Sequence, residues 1–131
     1  MIALILAHSI TILIAALIAF VFGMIWYHPK AFGARWAAEQ PHRKVPDDYQ
    51  KDSGKVIGAS LLDALFFTSM ALVLIAAYQV EGILLLALSV TVGIYTNTFA
   101  KGGSLRLFLI DAGFLLSQLI IITCVILILS N

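Results

Sequence analysis

Two carboxylates, Asp63 and Asp111, sit inside long apolar runs of this 131-residue chain. An aspartate at the centre of a membrane-inserted helix costs about 2.5–3.5 kcal/mol, so such acids mark ion pairs, proton relays or cation paths. Asn97 and Gln118 lie in the same kind of run, and Lys101 and Arg106 bracket the short stretch between the last two runs. Gln118 follows Asp111 by seven residues and so shares its helix face. Two kinds of chemistry are open to a cluster of Asp63, Asn97, Asp111, Gln118, Arg106 and Lys101. One is a lock of ion pairs and hydrogen bonds that fixes helix register. The other is a relay in which a carboxylate carries a proton or a cation.

Other chemistry has less to build on. His8, His28 and His42 are scattered, and the spacing of His28, His42 and Asp47 does not favour a metal site. His8, with Thr11 one turn on, falls at the far end from the aspartates and reads as an interface residue. Cys124 is single, hence incapable of an internal disulfide, and its place deep in an apolar run reads as a buried small hydrophobe. Serine-nucleophile and Gly-rich phosphate motifs are absent from the sequence. The expectation is a protein that is not an enzyme and uses no metal or cofactor.

The elements that hold these groups follow from composition. Hydrophobic residues make up 62% of the chain and charged ones 11%, against about 25% charged in ordinary globular domains. That supply cannot cover a water-facing surface, and a net charge of +1 gives no field suited to nucleic acid. Four apolar runs appear, at 2–25, 56–78, 82–99 and 107–129. About 20 residues of helix cross a hydrocarbon core, and backbone in lipid must satisfy its own hydrogen bonds, so each run reads as a spanning helix. The fourth run holds sixteen Leu, Ile, Val and Phe residues and carries Asp111 easily; the second holds eleven, which leaves Asp63 closer to balance. The first run lacks a basic n-region and exceeds the roughly 7–15 residues of a signal-peptide core, so it reads as a retained span. The predicted fold is all-α: a single integral membrane domain over 1–131, built as a four-helix bundle.

Charge sets the orientation. Lys30, Arg35, Arg43, Lys44, Lys51 and Lys55 fall in the first long connection, Lys101 and Arg106 in the last. Basic loops stay cytoplasmic. Both termini and the turn Gln79-Val80-Glu81 then lie outside a bacterial plasma membrane, and Asp63, Asn97 and Asp111 share the inner half of the bundle. In the first loop, Pro29 and Pro41 delimit a short interfacial helix over Lys30–Gln40, with Phe32 and Trp36 on its membrane face and Lys30 and Arg35 at headgroups. Trp26 and Tyr27 mark the interface, and Pro46, Asp47 and Asp48 read as the start of a helix leading into the second span.

Small residues recur at close to four-residue spacing: Ala15, Ala19 and Gly23; Gly54 and Gly58, then Ser60 and Ala64; Ser89 and Gly93; Gly113 and Ser117. Such rows let helices approach closely in lipid, either within the bundle or toward a homo-oligomer or a membrane-protein partner.

The stretch GMIWYHPKAFGARW resembles a signature of domain of unknown function family 1761, small bacterial membrane proteins. It carries Gly23, Trp26, Tyr27, Pro29, Phe32, Gly33 and Trp36 in the family's order. The segment LFLIDAGFLLSQL resembles a second signature through Ile110, Asp111, Ala112, Gly113 and Phe114. The resemblance implies a four-helix membrane protein and singles out Asp111, whereas Asp63 matches no motif. The basic residues after Trp36 depart from the family's acidic or polar continuation, which leaves the role of Arg43 and Lys44 open. The leading expectation is a non-catalytic structural or accessory subunit. The rival is a small proton- or cation-coupled transporter using Asp63 and Asp111.

Overall fold

The computed structural model describes residues 1–39 and 53–130, with the side chains of 53–56 excepted, and its regular elements are all helical. They are α1 (Ile2–Ala7), α2 (Ser9–Trp26), a π-helical turn over Pro29–Gly33, α3 (Ala34–Ala38), α4 (Ser53–Ala100) and α5 (Leu105–Leu129). Three stretches are long and apolar enough to cross a membrane, Ser9–Ala38, Ile57–Ala100 and Leu105–Leu129.

The long α4 is not straight. Gln79 leaves the helical region with φ +52° and ψ −136°. A Cβ placed on Gly82 would lie 2.8 Å from the carbonyl oxygen of Leu74. In an unbroken helix those residues stand about 12 Å apart along the axis, so the chain doubles back at Gln79. The two arms come together at Gly82, where a side chain does not fit. The three-residue turn expected at 79–81 thus shrinks to one non-helical residue, because Val80 and Glu81 already belong to the returning arm.

The first apolar run is also bent. His8 (φ −112°, ψ 22°) separates α1 from α2, and its ring Nδ1 donates to the Leu4 carbonyl at 3.0 Å, holding the imidazole on its own chain.

The core lies between α2, both arms of α4, and α5. It gathers Ile12, Ala19, Phe67, Ala71, Leu72, Ile83, Leu119, Ile122 and Ile126. Ala15, Ala16 and Ala19 are almost wholly buried, so this face of α2 packs against its neighbours through methyl groups. Gly58 and Gly93 behave differently: among the described residues, nothing lies within 4 Å of a Cβ built on either. Cys124, expected to be buried, is exposed on α5. Ile122 and Ile126 point into the core, and two residues of helix turn Cys124 to the opposite side.

The expected helix over Lys30–Gln40 is divided. Ala31 (φ −100°, ψ −115°) departs from helical geometry within the Pro29–Gly33 turn, and only Ala34–Ala38 is α-helical. Gln40 and Pro41 at the end of that expected helix, the helix start expected at Pro46, Asp47 and Asp48, and His42, Arg43, Lys44 and Lys51 lie outside the described residues. At the far end of α3, Ser104 donates to Glu39 (2.5 Å) and Arg106 pairs with it (3.9 Å). The first connection and the last therefore meet at one end of the bundle.

Candidate functional site around Asp111

Asp111 lies in the second turn of α5, about 9 Å from its start. Its Oδ1 accepts two hydrogen bonds, from the Tyr27 hydroxyl at 2.7 Å and from the Trp36 indole Nε1 at 2.9 Å. The donors come from opposite sides of the Pro29–Gly33 turn, and local chemistry explains how that turn brings them together. His28 is extended (φ −64°, ψ 141°) before a proline whose ring fixes the next φ. The His28 ring Nδ1 accepts from the Lys30 amide (3.1 Å), and its carbonyl accepts from the amides of Ala31 (2.8 Å) and Gly33 (3.1 Å). Gly33 presses so closely on the Tyr27 carbonyl that a Cβ would overlap it. The reversal sets Trp36 edge-on to Tyr27, with ring centroids 5.6 Å apart at 73°.

An aromatic layer backs this carboxylate. Trp26 packs on Phe32 (4.5 Å between centroids) and Phe22 (5.6 Å), while Phe114 meets Tyr27 (5.0 Å) and stacks on Phe22 (5.9 Å). Two glycines admit these rings reciprocally. A Cβ on Gly23 would stand 3.3 Å from the Phe114 ring, and one on Gly113 would stand 3.4 Å from the Trp26 ring. Each signature thus supplies a glycine that receives an aromatic of the other. The two sequence patterns are halves of one contact.

The cluster expected around Asp111 is distributed otherwise. Arg106 reaches out to Glu39 with its side chain 85% exposed, and Lys101 is exposed at the end of α4. Asp63 and Asn97 are both exposed on α4, and neither side chain has a hydrogen bond or ion pair among the described residues. Thr96, beside Asn97, donates back to the carbonyls of Val92 and Gly93. Gln118 is 3% exposed, and its Oε1, like Oγ1 of Thr68, is buried with no partner among the described residues. Among the described residues, Asp111 therefore draws two neutral ring donors and no cation. Sequence reasoning placed Tyr27 and Trp36 at the interface and missed them as partners. The available signal was their level: a Tyr and a Trp near the end of one span, and an acid near the corresponding end of another. Half-buried Tyr and Trp seek acceptors.

Two further observations bound the chemistry. No group of three His, Cys, Asp or Glu residues suited to a metal ion occurs among the described residues. A shallow open groove of about 380 Å³, lined by Val21, Met24, Ile25, His28, Lys30 and Ala31, does not include Asp111.

The chain belongs to the family of proteins of unknown function DUF1761, whose pattern matches residues 10–127 and so takes in both signatures. No curated protein and no solved structure matches it.

Proposed function

We propose that this chain is a four-span protein of a bacterial plasma membrane that acts as a non-catalytic structural or accessory subunit. Its working part is the aromatic cap that Asp111 latches to the cytoplasmic end of the bundle. The spans are α2, the two arms of α4 on either side of Gln79, and α5. The contacts of Glu39 with Ser104 and Arg106 support placing both basic connections on one side, which charge asymmetry makes the cytoplasm. The observation that carries the functional reading is the double hydrogen bond to Asp111 Oδ1. A carrier carboxylate must exchange partners as it loads and unloads. This one is held by two ring donors that are themselves set in place by glycine–aromatic packing.

Reconstituted protein tests the reading. Wild type in liposomes is expected to show no pH-driven flux above empty vesicles, and Asp111→Asn is expected to lower stability in detergent. A wild-type flux that Asp111→Asn abolishes, with stability and assembly unchanged, establishes the coupled transporter instead. For topology, a membrane-impermeant thiol reagent is expected to label Ser130→Cys from outside and not Ser53→Cys. The opposite pattern overturns the orientation.

A further inference from the structure

The groove beside the Pro29–Gly33 turn joins an apolar floor to two hydrogen-bond donors. Val21, Met24, Ile25 and Ala31 supply the apolar part, and the polar side chains that line it are His28 and Lys30. Val21, Met24, Ile25 and His28 recur at helical spacing and so form one stripe. Ile14, Leu17 and Ile18 continue that stripe along α2, and all three are exposed. They lie on the side of the helix opposite the buried Ala15, Ala16 and Ala19. The His28 ring Nδ1 accepts from the Lys30 amide, so the neutral imidazole carries its proton on Nε2, as a donor. Neither Nε2 nor the Lys30 ammonium has a partner among the described residues, and no carboxylate among them lines the groove.

We propose that this groove binds an anionic phospholipid. The Lys30 ammonium and His28 Nε2 take its phosphate, and one acyl chain lies over Met24 and Val21 and on along Ile18, Leu17 and Ile14. Trp26 and Tyr27 mark the headgroup level, which sets the two donors at phosphate depth and runs the stripe into hydrocarbon. A volume of about 380 Å³, open along one side, suits a chain laid on a helix better than an enclosed solute. Charge selects the headgroup. Ethanolamine or choline brings a second cation beside Lys30, with no carboxylate to receive it, whereas a glycerol headgroup leaves the phosphate as the sole charge. The inference rests on α2 spanning the membrane and holds in either orientation, so the labelling at Ser130 tests a separate claim.

The test places the full chain in nanodiscs of phosphatidylethanolamine and phosphatidylglycerol in equal amounts and counts retained lipids by native mass spectrometry. Wild type is expected to retain phosphatidylglycerol in preference. One lysine near an anionic headgroup contributes about fivefold, so Lys30→Gln is expected to lower that preference about fivefold. Lys101→Gln, exposed at the end of α4, is expected to leave it unchanged. Phosphatidylglycerol with a diazirine on its acyl chain, photolysed in the nanodisc, is expected to mark α2 between Ile14 and Val21. Lys30→Gln is expected to reduce that mark and spare the labelling of α5. Equal retention of the two lipids, an equal loss from Lys101→Gln, or α2 labelling indifferent to Lys30→Gln overturns the proposal.

Discussion

Replacing Tyr27 by Phe removes one hydroxyl and leaves the ring against Trp36 and Phe114. The 2.7 Å bond to Asp111 is lost with it. Hydrogen bonds to charged groups contribute about 1.5–3 kcal/mol. Asp111 is only partly buried, so the low end applies, about 1.5 kcal/mol or tenfold in the folding equilibrium. Asp111→Leu removes the acceptor for both donors and is expected to cost about 3 kcal/mol. The informative quantity is the difference between backgrounds. Once Asp111 is Leu, Tyr27→Phe is expected to cost less by the coupling between the two groups, about 1.5 kcal/mol. Reversible unfolding in mixed detergent and dodecyl sulfate micelles, followed by helical circular dichroism, measures all four corners of the cycle. If Tyr27→Phe costs the same in both backgrounds, within about 0.5 kcal/mol, the hydroxyl acts through something other than Asp111. The latch is then refuted.

Three further outcomes follow from contacts in the cap and hairpin. Gly33→Ala sets a methyl group onto the Tyr27 carbonyl; opening the turn is expected to cost about 1–3 kcal/mol and to speed alkylation of a reporter Cys at Ala37, which is partly covered in the closed cap. Gly82→Ala brings a Cβ to 2.8 Å from the Leu74 carbonyl and is expected to lower stability by about 1–3 kcal/mol in the same micelle titration, with the Tyr27 cap unaffected. Glu39→Gln removes the charge opposite Arg106, a pair 3.9 Å apart whose arginine is largely in solvent. Its expected cost is below about 1 kcal/mol, and a larger loss would mean that Glu39 holds the cap more firmly than this pair alone does.

Some elements were legible because their cause is local. The hairpin between the second and third runs needed only their length and the shortness of Gln79-Val80-Glu81, and the structure turns back at Gln79. The Ala15–Ala19 face was visible as spacing, and it is buried. Gly58 and Gly93 show the limit of that signal, since equal spacing on another helix face leads to open space. Lys30–Gln40 read as one helix because composition cannot register how closely Gly33 meets the Tyr27 carbonyl, a contact across six residues of turn. Cys124 read as buried because a run that is apolar all round does not show which side faces the core.

For the site, the sequence by itself singled out Asp63 and Asp111 and set Trp26, Tyr27 and Trp36 at one end of a helical, membrane-suited chain. Residue type and hydropathy carry that much, because the cost of an acid or an amide among apolar residues does not depend on its neighbours. Only the tertiary structure decided the partners. Charge alone paired Asp111 with Arg106 or Lys101, yet it takes Tyr27 and Trp36, and Arg106 turns to Glu39. The physical reason is short range. A hydrogen bond requires approach within about 3 Å, and which donor comes that close is set by how Gly23 and Gly113 admit each other's aromatic rings. That contact forms between segments more than seventy residues apart.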